Sequence, residues 1–179
     1  MSSPVLGSRE RILQAASEVF AEEGFFRASV DEVCSRAGVS KGLVFWYFKS
    51  KDQLIIEVAR RSIPLDVVED CLGRGGGGYE ILRCIGIGFL GKYRDSVMRR
   101  LFLHTISAMN VYRELEESVR ELCRSMVVKI SRVVFNDEGP EGIVRIRAFL
   151  GGLLCYVINP PGIDEETYVN TLMRITLSK

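Results

Sequence analysis

The chain has little of what most catalytic or metal-binding proteins need. Its 179 residues include one histidine and one tryptophan. The five cysteines (Cys34, Cys71, Cys84, Cys123, Cys155) are scattered, with no CxxC and no paired histidines. That argues against a zinc site and against a disulfide framework, so most of the cysteines read as small buried hydrophobes. There is no nucleophile motif and no metal-ligand cluster, and His104 has no evident partner. An enzyme, a cofactor and a metal are therefore not expected. The glycine run Gly75–Gly78 has no GKS or GKT after it and no strand before it, which excludes a nucleotide-binding loop. No apolar run approaches the ~18 residues of a membrane span, and the opening residues MSSPVLGS lack the apolar core of a leader. A cytoplasmic protein without a membrane partner is expected. Nor is there a surplus of charge: 24 Lys and Arg against 23 Asp and Glu leave +1. Any polyanion must be bound by a local patch.

What is present is concentrated in residues 29 to 54, SVDEVCSRAGVSKGLVFWYFKSKDQL. Ser29 with Glu32 three residues on has the spacing of a capping box, and opens a short helix. Ala37-Gly38-Val39 breaks it, with Gly38 suited to a left-handed turn. Ser40 caps a second short helix at once. Ser50 and Gln53 repeat the capping spacing for a third. Two short helices around a glycine turn form a helix-turn-helix, whose second helix is shaped for the DNA major groove. In that helix Val44 and Phe48 are four apart and point inward, with Val39 as a staple. Lys41, Gly42, Leu43, Phe45, Trp46 and Tyr47 are left on the open side. Flat aromatic rings there contact sugars and thymine methyls, and offer an N–H or O–H to phosphate. The capped start of the third helix, flanked by Lys49 and Lys51, is a ready phosphate site. From Arg36 to Lys51 there are four basic residues and no acidic one.

The stretch from about Ser8 to Leu54 resembles the DNA-binding domain of the TetR (tetracycline-repressor-like) family of transcription regulators. The residues that carry the resemblance are ILQAASEVFAEEGF in the first helix, the AGVSKG turn and the WYFKSKDQL ending. The resemblance implies DNA contacts at Ser29, Lys41, Leu43, Phe45, Trp46, Tyr47 and Lys51. Ser40, Gly42 and Lys49 join them as cap, open backbone and flanking charge. The family usually has Thr where this chain has Leu43, and Tyr where it has Phe45. Both hydroxyls are lost, which shifts weight onto Tyr47, the lysines and backbone N–H groups. The first helix supports the motif through Ile12, Ala15, Ala16, Val19 and Phe20 at three-four spacing, and Gly24 ends it before Phe25 and Phe26 fold back on the core.

Beyond Leu54 the pattern stays helical. Pro64 ends or kinks the helix begun at Ser50, and Gly75–Gly78 form a flexible joint. Helices are expected over about 79–93, 95–109, 111–135, 140–158 and 164–177, with a turn at Asn136–Pro140 and a break at Asn159–Gly162. Glycines 86, 88 and 91 imply close packing or vacant space in the first of these. The expected protein is all-α with about nine helices: a helix-turn-helix head over residues 1–50 and a helical ligand-binding and dimerisation domain over 51–179.

The resemblance implies a homodimer formed by the last two long helices, and Phe149, Gly151, Gly152, Leu153 and Tyr156 are the interface candidates. It also implies a sensor body, with Tyr93, Phe102, His104, Met109 and Met126 as candidate lining for a small apolar effector. The expected function is a transcriptional repressor that binds a palindromic operator on double-stranded DNA and is released by that effector. The alternative is a helical ligand- or partner-binding protein whose head has lost specific DNA recognition, a reading that the missing hydroxyls at Leu43 and Phe45 keep open.

Overall fold

In the computed structural model, which describes residues 7–178, the described residues form ten α-helices and no strands. In chain order they are α1 (Ser8–Arg27), α2 (Val30–Ala37), α3 (Lys41–Phe48), α4 (Lys51–Ser62), α5 (Leu65–Arg74), α6 (Gly78–Arg94), α7 (Ser96–Ala108), α8 (Arg113–Phe135), α9 (Pro140–Ile158) and α10 (Glu165–Leu177). The count exceeds the nine expected because α5 is a helix of its own. Pro64 has no N–H to donate, so the chain turns at Ile63-Pro64 before helix resumes. The expected absence of a leader falls on Met1–Leu6, outside the described residues. Among the described residues no helix is long and apolar enough to cross a membrane.

The chain divides into two compact units. The first takes the chain up to Ile63 together with Ser96–Val119, and so holds α1–α4, α7 and the start of α8. Its core rests on α1, which packs against α2, α4 and, most extensively, α7. The stripe Ile12, Ala15, Ala16, Val19 and Phe20 is buried, and a second stripe of Leu13, Ser17 and Ala21 is buried too. Two buried faces let one helix serve several neighbours. Helix α7 contributes Leu101, Phe102, Thr105 and Ala108. The Ser62 and Thr105 hydroxyls meet 3.1 Å apart where α4 lies on α7. At Gly24 (φ +78°) α1 kinks, a backbone that costs an L side chain strain and glycine nothing. His104 lies beneath that kink, its ring 6.3 Å from Phe25. Phe25 folds inward as expected; Phe26 does not, and stacks in the open on Tyr112 at 5.2 Å.

The second unit takes Pro64–Asp95 and the chain from Arg120 on. In it α6 is the hub, packed on α5, α9 and α10. Gly86 lies under Val169 and Phe149, and Gly88 lies under Val67. These two glycines serve close packing, whereas Gly91 has open space beside it. Pro140 opens α9, and the Asp137 carboxylate accepts from the Gly139 and Gly142 N–H groups at 2.7 and 2.9 Å. Those two bonds hold the Asp137 carboxyl below its ordinary range. Asp164 caps α10 by accepting from Thr167 N–H.

The cysteines correct the sequence reading. Cys71 and Cys84 are joined by a disulfide, with Cα atoms 5.7 Å apart. The chain doubles back at Gly75–Gly77 and packs α6 on α5, a proximity that a separation of 13 residues does not reveal. Cys34, Cys123 and Cys155 are free, and Cys155 is exposed rather than buried.

Candidate nucleic-acid interface

Local caps hold the helix-turn-helix. The Ser29 hydroxyl accepts from Glu32 N–H at 3.1 Å, Ser40 from Leu43 N–H at 3.3 Å, and Ser50 from Gln53 N–H at 3.1 Å. Gly38 is left-handed at φ +64°, ending α2 with its N–H on the Ser35 carbonyl. Val44 and Phe48 anchor α3, both almost fully buried. At about 1.5–3 kcal/mol for each such side chain, these two anchors can hold an eight-residue helix that would not persist alone. Arg9 lies over the Phe48 ring at 5.3 Å and bonds Glu57, so that α1 and α4 bracket the end of α3.

With those residues turned inward, α3 presents the rest. Trp46 is 72% exposed and Phe45 37%. Leu43 and Tyr47 are half-buried, and Lys41 and Gly42 are exposed. Trp46 stands edge-on to Tyr47, ring centres 4.6 Å apart, so that each ring limits the other's freedom. Lys49, just past α3, is exposed and takes φ +45°, an unusual backbone for a residue with a side chain. Ser29 and Ser40 spend their hydroxyls as caps. Each side-chain oxygen has lone-pair capacity left, and the N–H groups at the capped helix starts face outward by geometry.

The charges are less free than the sequence suggests. Lys41 is paired with Asp31 at 2.9 Å, a hydrogen bond that holds its ammonium above the ordinary lysine range. Arg36 makes a two-pronged bond to Glu22, with both contacts at 2.8 Å. Lys51 donates to the Phe26 carbonyl at 3.2 Å. The sequence shows the basic run, but not the acids of α1 and α2 that lie across from it.

The candidate effector residues fall in both units. Phe102, His104 and Met109 belong to the first, Tyr93 and Met126 to the second. Phe102, Tyr93 and Met126 are buried, and burial pushes the Tyr93 hydroxyl far above its ordinary pKa. Cavities of about 860, 490 and 190 Å³ lie among the described residues, and none of these three has the five residues in its lining. The one of about 860 Å³ lies along α8 and α9, with Arg124, Lys129, Arg132 and Arg147 among its walls.

The interface candidates on α9 separate as well. Phe149 and Leu153 are fully buried inside the second unit. Gly152 faces Leu172, and its carbonyl accepts from the Tyr168 hydroxyl. Tyr156 donates to the Ile163 carbonyl and packs on Tyr168. Gly151 is exposed, in a stripe the sequence reading did not single out: Val144, Ala148, Gly151, Cys155 and Ile158, all exposed. Four-three spacing was the available signal; the stronger apolar density of the opposite face concealed it.

A helix-turn-helix head presenting an aromatic recognition helix defines a class of DNA-binding proteins. Residues 12–58 match the family described as bacterial regulatory proteins, tetR family. The chain is 39% identical over 61 residues to the HTH-type transcriptional regulator SrpR of Pseudomonas putida, a match covering 34% of this chain and 29% of that protein. It is 44% identical over 55 residues to the HTH-type transcriptional activator FasR of Mycolicibacterium smegmatis, covering 31% and 25%. The matched segments span less than half the length of these relatives. In fold the likeness runs the length of the chain. A transcriptional regulator from Rhodococcus sp. Rha1 superposes with a TM-score of 0.73 at 25% identity, covering 95% of this chain and 94% of that one. A structure from Mesorhizobium loti, described as a TetR-family regulator, gives 0.72 at 16% identity and 95% coverage of both. Residues 12–58 thus resemble the head of that family, and the fold along the chain is that of solved structures described as regulators of the same kind.

Proposed function

We propose that this protein is a sequence-specific DNA-binding transcriptional regulator that binds a palindromic operator as a homodimer and is released by a small apolar effector. In this reading residues 1–50 read DNA, residues 51–179 bind the effector and dimerise, and the protein works in the cytoplasm. The observation that carries it is α3. Trp46, Phe45 and Tyr47 stand outward on a helix anchored by Val44 and Phe48, beside the capped start of α4. A helix placed this way reaches base edges and thymine methyls, while Ser29, Ser40, Gly42, Lys49 and Lys51 offer backbone N–H groups, hydroxyls or charge to phosphates. One short helix reads only a few base pairs, so a second copy a helical turn away supplies the specificity. The exposed stripe on α9 supports such a pairing, because a copy of itself would cover Val144 and Ile158, both more than half exposed. Release requires the effector to favour the unbound state by a few kcal/mol. Repression is the mode the resemblance implies.

The second reading is a helical binding protein without specific DNA recognition. It is favoured by the apolar Leu43 and Phe45 and by the engagement of Lys41 with Asp31. Selection from a pool of randomised duplexes separates the two. An enriched palindrome with half-sites about one turn apart is the expected result. No enrichment at low salt, with Trp46 fluorescence unmoved by duplex, would leave the second reading.

A further inference from the structure

Two of the five cysteines are brought together, and they differ in access. Cys71 on α5 is 2% exposed. Cys84 on α6 is half-buried. Both border a cavity of about 490 Å³, with Arg74, Tyr79 and Arg83 at its walls. A small molecule entering there meets Cys84 first. The arginines add positive charge, tempered by Asp70 on Arg74 and Glu166 on Arg83. The contact between α5 and α6 does not depend on the bridge alone: Val67 seats over Gly88, and Lys92 bonds Asp66 at 2.6 Å. The two helices therefore have reason to stay packed with the thiols reduced. Cys34 and Cys123 are poor competitors, since burial pushes both thiols above their ordinary pKa. A chain with three free cysteines is not built like a disulfide-stapled secreted domain. On the reading above, as a regulator bound to DNA, it works where thiols are kept reduced, and a bridge in that setting is more often a sensor than a staple.

We infer that Cys84 and Cys71 form a reversible dithiol–disulfide site that takes oxidation from small disulfides of the glutathione kind. The Cys84 thiolate attacks one sulfur of the small disulfide. That S–S bond breaks, and one small thiolate leaves and takes up the proton that Cys84 gave up. The Cys71 thiolate then attacks the Cys84 sulfur, the mixed disulfide breaks, and the second small thiol leaves with the Cys71 proton. The protein loses two electrons, the small disulfide gains two, and two small thiols are released. Oxidation ties α5, which the chain reaches from α4 through Ile63-Pro64, to α6; reduction leaves Gly75–Gly77 as their only covalent link.

The test uses the full chain with Cys155→Ser, which removes the exposed thiol and leaves four cysteines. The native protein is equilibrated in glutathione buffers, quenched, unfolded and alkylated, and the mass is read. Excess oxidised glutathione should leave two alkylated cysteines with a mapped Cys71–Cys84 bridge, and excess reduced glutathione should return all four. Adding Cys71→Ser should trap one glutathione on Cys84, whereas adding Cys84→Ser should leave Cys71 unmodified. A bridge that persists in excess reduced glutathione, a bridge that never forms, or glutathione settling on Cys71 instead would overturn the site. On the duplex the chain selects, the two redox forms should differ at least fivefold in Kd, and equal affinities would overturn the sensing role. A chain that selects no duplex defeats the DNA reading alone, because the thiol counts still decide the site.

Discussion

At the scale of single residues, the reading surface separates side chains that build from side chains that reach. Trp46 is mostly exposed and its ring meets Tyr47 only at the edge, so it contributes little to the fold. Trp46→Ala should weaken operator binding by ~10- to 100-fold, the worth of about one lost base contact, while the thermal midpoint stays put. A parallel fall in both would make Trp46 a packing residue instead. Asp31 is the opposite case. It sits 2.9 Å from the Lys41 ammonium and competes with any phosphate for it. Asp31→Asn should tighten DNA binding and steepen the dependence of log K on log salt by about one unit, as one more lysine is freed to displace a counterion. An unchanged slope in a salt titration would show that Lys41 does not contact phosphate.

At the scale of elements, the sequence was most legible where structure is local. Ser29, Ser40, Ser50, Asp164, Gly38 and Pro140 act within a turn of themselves, and each takes the role its spacing indicates. What depends on distant partners was not legible. The second buried stripe of α1 is small and mixed (Leu13, Ser17, Ala21), and only the packing of other helices around α1 gives it meaning. Phe26 looks like core in sequence, yet it is exposed and its partner, the half-buried Tyr112, lies 86 positions on. The glycines of α6 show the same divide. A Cβ on Gly86 would come within 2.6 Å of Val169, whereas one on Gly91 would meet nothing. Gly86→Ala should therefore cost about 1–3 kcal/mol from overpacking, partly offset by alanine's better helix propensity. Gly91→Ala should stabilise by up to about 1 kcal/mol. Urea unfolding of the pair decides whether glycine spacing or mere composition shapes this helix; equal effects would refute the close packing.

At the scale of the whole molecule, two properties follow from summed contributions. Six carboxylates (Glu10, Glu22, Asp137, Glu138, Asp164, Glu165) are held below their ordinary range, each chiefly by a hydrogen bond to an arginine or to backbone N–H groups. A depressed pKa means that the folded state prefers the charged form. The stability it contributes is complete above the ordinary values of 4.5 for Glu and 3.8 for Asp, and is lost as pH falls through the lowered ones. Glu32 runs the other way: a hydrogen bond with Glu23 raises it, so its contribution is present at low pH and fades as pH rises through the raised value. Six outweigh one, and the urea midpoint should hold from neutrality to about pH 5 and fall below it. A midpoint that rises on acidification would contradict the ion pairs. The second concerns the dimer proposed above. Val144→Lys with Ile158→Lys, both at exposed positions, should convert a dimer in sedimentation to a monomer without lowering the monomer's helicity.

The stripe on α9 also carries a geometric instruction. Positions 144, 148, 151, 155 and 158 step by four, three, four and three, an average of 3.5 residues against the 3.6 of a straight helix. A seam of that period drifts slowly around the helix, and two copies can keep it shut only by winding left-handedly about each other at a shallow angle of about 20°. Ala148 and Gly151 fall mid-seam, where backbones can approach to the near end of the usual 8–10 Å range. The pitch of the proposed pairing would then be written in these five residues.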